Sequence, residues 1–474
     1  MEFGWLRVGV VDFLRQVRLG LNHHGAVPLL ALAALAALAL ILAAGTMLWR
    51  RRKRRVARTE AASVRDEAAR LKDRLRQRLS EPASLFANGV NTAPTMGACE
   101  AFEGDIEAVA RTVLVEAGGH RAKARQLLRQ RMNGGGADKA RRNGSQVSYW
   151  RQLGALSLLD GIADAPAAYA RAADLEPENA EAQMLAGVLH LRAGNLASAE
   201  AAFRRQIEIG NQGNGSTDAG LARYRGHTML GDVLAAREDP DAAITAYTNA
   251  QHEVKALLER GADNVALQRD LSVTYDRIGD AHAARGEVDA ALASYRHSLE
   301  IAKQLAEREP GSAVWQHDLS VSFDRIGDLL DRKGDGVGAL ESFRKGLAIA
   351  GALSRRDPDN VQWQWDLSAS HDRVGDALIA QGRLEEALDS YRRGLKVAEA
   401  LAERDPGHPG WQRDLAVSYH KIGSLEAIRN PGEARELLER GRAIIDRLAQ
   451  IAAHRAQWRS DLSRFDEVLR TLDQ

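Results

Sequence analysis

The stretch that decides the fold is Trp363–Gly382, WQWDLSASHDRVGDALIAQG. Nearly the same words stand one block earlier, at Trp315–Gly334 (WQHDLSVSFDRIGDLLDRKG), and one block later from Trp411 (WQRDLAVSYHKIGSLEAIRN). Asp270, Asp318, Asp366 and Asp414 lie 48 residues apart, with a last step of 47 to Asp461, and Gly231, Gly279, Gly327, Gly375 and Gly423 form a second column with the same interval. Self-similarity at a period of 20–50 residues is the signature of a solenoid. Each unit reads as two helices. The first runs from the Trp to about twelve residues past the Asp and breaks at Gly286, Gly334 or Gly382; the second ends at Pro310, Pro358 or Pro406. Glycine stands where a helix stops, and proline where it cannot continue. One helix pair cannot bury its apolar side alone, so each unit repeats the same knobs and gaps for the next to stack on.

Working outward, the composition agrees. The 474 residues are 45% hydrophobic, 27% charged and only 5% aromatic, a balance that favours helix and is poor in strand formers. The expected class is all-α: an N-terminal transmembrane helix followed by an α-solenoid of helix pairs. A single Cys99 excludes a disulfide framework or a multi-cysteine metal site. The net charge of +1 hides an asymmetry. Between Arg50 and Arg78 thirteen Lys or Arg face four acids (+9), residues 1–49 add +1, and the rest of the chain therefore sums to −9.

The basic segment follows Val27–Trp49, 23 residues without a charge, long enough to cross a hydrocarbon core of about 30 Å. The cluster Arg50, Arg51, Arg52, Lys53, Arg54 and Arg55 places its own side of the span in the cytoplasm and is expected to contact anionic lipid. Ahead of the span, residues 1–26 carry Phe3, Leu6, Val10, Phe13 and Val17 at helical spacing, suited to an amphipathic segment on the membrane surface. Residues 50–80 form a basic juxtamembrane helix with Val64, Ala68, Leu71, Leu75 and Leu79 on one stripe, and both a lone helix and a dimer seam fit it. Residues 81–98 read as a linker. Residues 99–147 hold two helices, about Cys99–Glu116 and His120–Met132, and then a loop, NGGGADKARRNGSQ.

From Ser148 the residues resemble tetratricopeptide repeats. Tyr275, Ile278, Gly279, Gly286, Ala291, Tyr295 and Ser298 fit that family's pattern in order. So do Phe323, Ile326, Gly327, Gly334, Ala339, Phe343 and Gly346, and His371, Val374, Gly375, Gly382, Ala387, Tyr391 and Gly394. Residues 148–213 hold two units of ordinary length, residues 214–457 hold longer ones, and 458–474 form a capping helix; Gly213–Gly220 is expected as the loop where the two lengths meet. The resemblance covers about two thirds of the chain and looks like a long-repeat bacterial variant. Departures exist, for the unit from Trp411 has Asn430–Pro431 in place of the usual Gly turn. Trp315, Trp363, Trp411 and Trp458 are expected as core anchors of the extra turns.

No catalytic constellation can be assembled. Gly210–Thr217 (GNQGNGST) lacks the Lys of a phosphate loop, and the 13 histidines are scattered. No catalytic, cofactor or metal residue is assigned, and no nucleic acid or small-molecule substrate is expected. What remains is a surface. In the resembled family the first helix of each pair lines a groove, and the matching positions here are Asp276/Asp280, Asp324/Asp328 and Asp372/Asp376, flanking Arg277, Arg325 and Arg373. Carboxylates at i and i+4 repel by about 0.2–0.5 kcal/mol, which calls for a compensating cation. Two sources fit: arginines of the neighbouring repeat, or a basic peptide segment of a partner. The expected function is a single-pass membrane scaffold or adaptor that holds a protein partner in its groove, with the repeats in the cytoplasm. An envelope-assembly protein facing the periplasm and a regulatory subunit of a signalling or defence system stand as alternatives.

Overall fold

The computed structural model describes residues 62–75, 96–133, 139–161, 164–261, 264–451 and 456–473, which fall into two compact units divided between Ala168 and Tyr169. Among the described residues the structure is helical throughout, and no helix is long and apolar enough to cross a membrane. The expected span Val27–Trp49 and the cluster Arg50–Arg55 lie outside the described residues.

In the first unit α1 covers residues 62–75, α2 is Met96–Arg111 continued by a π-helical turn at Thr112–Glu116, α3 is Arg121–Asn133 and α4 is Lys139–Leu159. The stripe on α1 is not on the surface: Ala68, Leu71 and Leu75 are buried. Phe102, Ile106, Val109, Val113, Leu128 and Leu156 supply the rest of the core. Buried Thr112 donates to Gln152 at 3.0 Å, and Arg151 pairs with Asp105 at 2.9 Å. The loop expected before Ser148 is shorter than read, because α4 already begins at Lys139: Lys-Ala-Arg-Arg are helix formers and carry the helix through Gly144.

In the second unit helix pairs follow one another: α6 (Ala180–Arg192) and α7 (Leu196–Gln212); α8 (Thr217–Ala236) and α9 (Pro240–Arg260); α10 (Val265–Ala284) and α11 (Val288–Arg308); α12 (Ala313–Lys333) and α13 (Gly336–Arg356); α14 (Val361–Ala380) and α15 (Leu384–Arg404); α16 (Pro409–Glu426) and α17 (Pro431–Ile451). Ahead of them α5 is Ala165–Leu175, and α18 (Ala456–Leu472) closes the unit. The loop expected at Gly213–Gly220 narrows to Gly213–Ser216, because Ser216 Oγ caps α8 by accepting from the Ala219 N–H at 3.2 Å. Asn264, Asn360 and His408 cap α10, α14 and α16 in the same way. Gly334 and Gly382 end their helices at φ 85° and 72°, where only glycine is unstrained. The same column holds Glu238 at φ 60°.

The glycine column explains the period. A Cβ on Gly231, Gly279, Gly327 or Gly375 would stand 2.3–2.5 Å from a ring carbon of Tyr247, Tyr295, Phe343 or Tyr391, sixteen residues on. Each first helix thus lies directly on the aromatic ring of its own second helix. Apolar clusters then join successive pairs, as where Leu340 and Phe343 of α13 meet Val374 and Leu378 of α14, Leu388 and Tyr391 of α15, and Ile422 of α16. Polar links repeat at the same interval. Arg260, Arg356 and Arg404, at the ends of second helices, donate to the carbonyls of Gly215, Gly311 and Asp359, each 45 residues back. Of the four tryptophans expected in the core, only Trp458 is buried, at 4% exposure. Trp315, Trp363 and Trp411 are half-buried near helix starts, where fewer neighbouring turns cover them; Trp315 donates to Glu309 and lies beneath the Arg269 guanidinium.

Candidate binding groove

Along the face formed by α8, α10, α12 and α14 runs a cleft of about 870 Å³, from Asp232 to Arg373. Its walls are set by the 48-residue register. The cation of each first helix reaches back to carboxylates of the first helix before it, and the result is a ladder of four rungs.

In rung one Arg277 grips Asp232 with two hydrogen bonds, at 2.8 and 3.2 Å, and the Tyr247 hydroxyl donates to the same carboxylate at 2.8 Å. Asp232 is only 1% exposed, so this pair is a buried, bidentate one. Rung two brings Arg325 onto Asp280 and within 3.9 Å of Asp276, while Tyr295 donates to Asp280 at 2.6 Å and lies under the guanidinium. In rung three Arg373 stands 3.5 Å from Asp324 and 3.4 Å from Asp328. Rung four is built by Lys421, 3.3 Å from Asp372 and 2.9 Å from Asp376, with Tyr391 donating to Asp376 at 2.5 Å. The aspartates and arginines singled out from sequence are therefore all brought together, each carboxylate pair sharing one cation of the next unit. Lys421 and the phenols of Tyr247, Tyr295 and Tyr391 were not legible as members. The 48-residue column from Arg277 through Arg325 and Arg373 to Lys421 was the signal for the first; the phenols appeared only as helix-packing residues.

Electrostatics differ within each pair. The second aspartate faces outward, with side-chain exposures of 44%, 46% and 56% for Asp280, Asp328 and Asp376. The first is inward, and burial pushes Asp276 up to about 6 against the pull of Arg325, and Asp324 up to about 7 against that of Arg373. Asp372 and Asp328 are raised for the same reason. Seven ladder carboxylates face four cations, so the face retains negative charge wherever the inner aspartates are ionised.

A second ladder runs the other way, about two turns nearer the helix starts. Arg269 donates to Asp318 at 2.6 and 3.0 Å, His317 stands 3.1 Å from Asp366, the Trp365 indole donates to Asp414 at 2.8 Å, and Arg413 donates to Asp461 at 2.8 Å. Hydrogen bonds to Asp318 and Asp366 hold His317 up to about 9, so it is a cation at neutral pH. The recurring Asp-Leu of the sequence is thus the acceptor of a link from the preceding unit. Among the described residues no group of His, Cys, Asp or Glu is arranged to hold a metal ion.

Among solved structures, the chain is similar to the apo form of RapI (12% identity over 79% of this chain and 98% of that one, TM-score 0.48). It is also similar to the apo form of the quorum sensor NprR from B. thuringiensis (13%, 79% and 98%, 0.43) and to BtubC from P. vanneervenii (15%, 59% and 93%, 0.39). No curated protein sequence matches it. Three family models, each described as a tetratricopeptide repeat, match residues 159–214, 272–310 and 369–401. Their matches fall on the ordinary-length unit and on the long units alike, and the chain is a tetratricopeptide-repeat protein.

Proposed function

We propose that the protein is a membrane-anchored adaptor whose repeat groove captures a basic segment of a partner protein. The observation that carries this reading is the excess of carboxylates over cations in the backward-reaching ladder, seven to four, beside an open cleft of about 870 Å³. The ladder cations Arg325, Arg373 and Lys421 are each shared by two carboxylates and Arg277 is gripped by Asp232, which leaves them little to offer an acidic peptide. A basic one meets the outward oxygens of Asp280, Asp328 and Asp376. Support for the anchor comes from the uncharged run Val27–Trp49, and Arg50–Arg55 beside it adds about 1 kcal/mol per residue of attraction to an anionic leaflet. The excess of basic residues after the span favours repeats on the cytoplasmic side.

The test uses the full chain in uncharged nanodiscs and two labelled peptides of equal length, one Arg/Gly and one Glu/Gly, followed by fluorescence anisotropy. The basic peptide is expected to bind at low salt and weaken as salt is raised; binding of the acidic peptide alone refutes the reading. A phosphatase fused after Gln474 is expected to be inactive, and an active fusion overturns the cytoplasmic placement.

A further inference from the structure

The second ladder keeps one kind of donor and breaks the rule once. Its donor column reads Arg269, His317, Trp365 and Arg413. Arg269 and Arg413 donate from a guanidinium to Asp318 and Asp461, and His317 is a cation at neutral pH. Trp365 alone offers a neutral N–H, to Asp414 at 2.8 Å. The rung is weaker for it. Burial raises Asp414 above the ordinary carboxylate value, against the indole and Arg413, whereas at Asp318 burial is overcome by His317 and Arg269 and the carboxyl lies below that value. The indole is also 41% exposed, so its packing within this chain does not account for it.

What the ring does adjoin is a second cavity. Past Trp365 and Ala369, which line the large cleft, the groove continues into a slot of about 180 Å³ between α14 and α16. Its apolar lining is Trp365, Ala369, Ala398, Leu401, Trp411 and Val417. Both indoles are held in place, Trp365 by Asp414 and Trp411 by stacking on His408 with 4.2 Å between ring centroids. The charges around the slot are Asp372 and Asp414 against Arg413 and Arg464, two of each sign. Asp372 stands 3.3 Å from Lys421, Arg413 is bound to Asp461, and Arg464 stands 3.9 Å from that same residue. The slot therefore favours an uncharged guest. Its size is that of one aromatic ring, since an apolar cavity of about 150 Å³ holds benzene. Asp372 belongs to rung four, so the residues flanking such a guest meet the outward carboxylate of Asp376.

We propose that the slot between Trp365 and Trp411 anchors the partner segment by taking one phenylalanine side chain. This rests on the reading of the groove as a site for a basic segment: the ladder carboxylates attract the segment, and the slot fixes its register. Two indoles offer the guest the offset and edge-to-face contacts that aromatic pairs prefer, and walls already held in place cost little ordering on binding. An arginine in place of Trp365, as at 269 and 413, would set a hydrated cation at the mouth of the slot instead.

The test again uses the full chain in uncharged nanodiscs, with labelled Gly-Arg-Gly-Phe-Gly-Arg-Gly and, as its counterpart of equal charge, Gly-Arg-Gly-Ala-Gly-Arg-Gly. Wild type is expected to bind the Phe peptide about tenfold more tightly than the Ala peptide. Trp365→Arg installs the donor that the ladder uses at Arg269 and Arg413; it is expected to bring that ratio below about twofold with the melting temperature unchanged or raised. Because the ratio is taken within each variant, the added charge cancels. Val417→Met fills the slot from its other wall and is expected to lower the ratio as well. Trp363→Leu, two residues before Trp365 and lining neither cavity, is expected to keep it. A ratio near one in the wild type, a ratio that survives both Trp365→Arg and Val417→Met, or an equal loss in Trp363→Leu would each overturn the anchor and leave the basic-groove reading standing. No binding of either peptide to the wild type refutes both.

Discussion

Gly327→Ala tests why the units repeat at all. The added Cβ would stand 2.5 Å from Phe343 Cε1 and 2.7 Å from Cδ1, short by about 1 Å of ordinary contact. The ring cannot yield easily, being 4% exposed among Leu340, Val374 and Leu378. Overpacking of this kind costs about 1–3 kcal/mol, from which the better helix propensity of Ala returns about 1 kcal/mol. The expected result is net destabilisation of up to about 2 kcal/mol. Gly351→Ala, in the adjoining helix α13, is the control: its Cβ meets only the flexible end of Arg355 at 3.2 Å and Leu367 at 3.8 Å. That variant is expected to gain about 0.5–1 kcal/mol from propensity alone. Urea unfolding followed by circular dichroism at 222 nm separates the two as midpoints displaced in opposite directions. Shrinking the ring by Phe343→Leu in the Gly327→Ala background is expected to recover part of the loss, a coupling of about 1 kcal/mol. Destabilisation of the same size by both alanines, or no coupling to Phe343, would refute the view that helix-on-ring contact sets the 48-residue column.

Further outcomes follow from the same contacts. Arg277→Met strands the 2%-exposed side chain of Asp232 and is expected to cost about 3–5 kcal/mol, whereas Arg373→Met, from a 38%-exposed side chain, costs about 1 kcal/mol or less; chemical unfolding of the two variants compares them. Glu238→Gly relieves a left-handed residue and is expected to stabilise by about 1 kcal/mol, read as a raised melting temperature. Burial raises Asp276 to about 6 and Asp324 to about 7 from an ordinary 3.8, so the folded chain keeps protons that the unfolded chain releases between about pH 4 and 7. Their contribution to stability accordingly falls as pH rises through that window. Asp324, facing Arg373, Asp328, Asp366 and His317, is expected to lose its share when changed to Asn, which should flatten the pH dependence of the melting temperature. Removal of residues 313–360, one whole period, sets Arg373 opposite Asp276 and Asp280 and is expected to leave a folded array, whereas removal of 34 residues breaks every ladder and is expected to reduce helix content.

The repeat was legible because its spacing is imposed by backbone contact. Gly279 against Tyr295 and Gly375 against Tyr391 admit no other residue size, and such a constraint leaves an unmistakable column. The aspartate pairs were legible for a related reason, since like charges one turn apart require a nearby cation. Which cation was not legible: Arg325 could belong to Asp276 or to a ligand, and only the offset between neighbouring first helices decides that it reaches back. The half-buried state of Trp315, Trp363 and Trp411 escaped the sequence because a tryptophan at a helix start looks the same whether the preceding unit covers it or stops short. Lys139–Ser148 escaped because glycines at its edge outweighed the helix formers between them.

An array of identical units has no reason to end its ladders, so the departures mark where the ladders stop. At the first end, Met229 occupies the column of Arg277, and Thr228 that of Asp276, so Asp232 receives a cation without its own helix having to send one back. At the last, His420 and Ser424 occupy the carboxylate columns, and Lys421 reaches back while nothing needs to reach toward it. Phe343 in place of tyrosine does not lie at an end, and it leaves Asp328 without the phenol that Asp280 and Asp376 accept. A terminus explains the loss of a charge; the inner oxygens of Asp276, Asp324 and Asp372 are alike in having no hydrogen-bond partner, so that shortage belongs to the repeat itself.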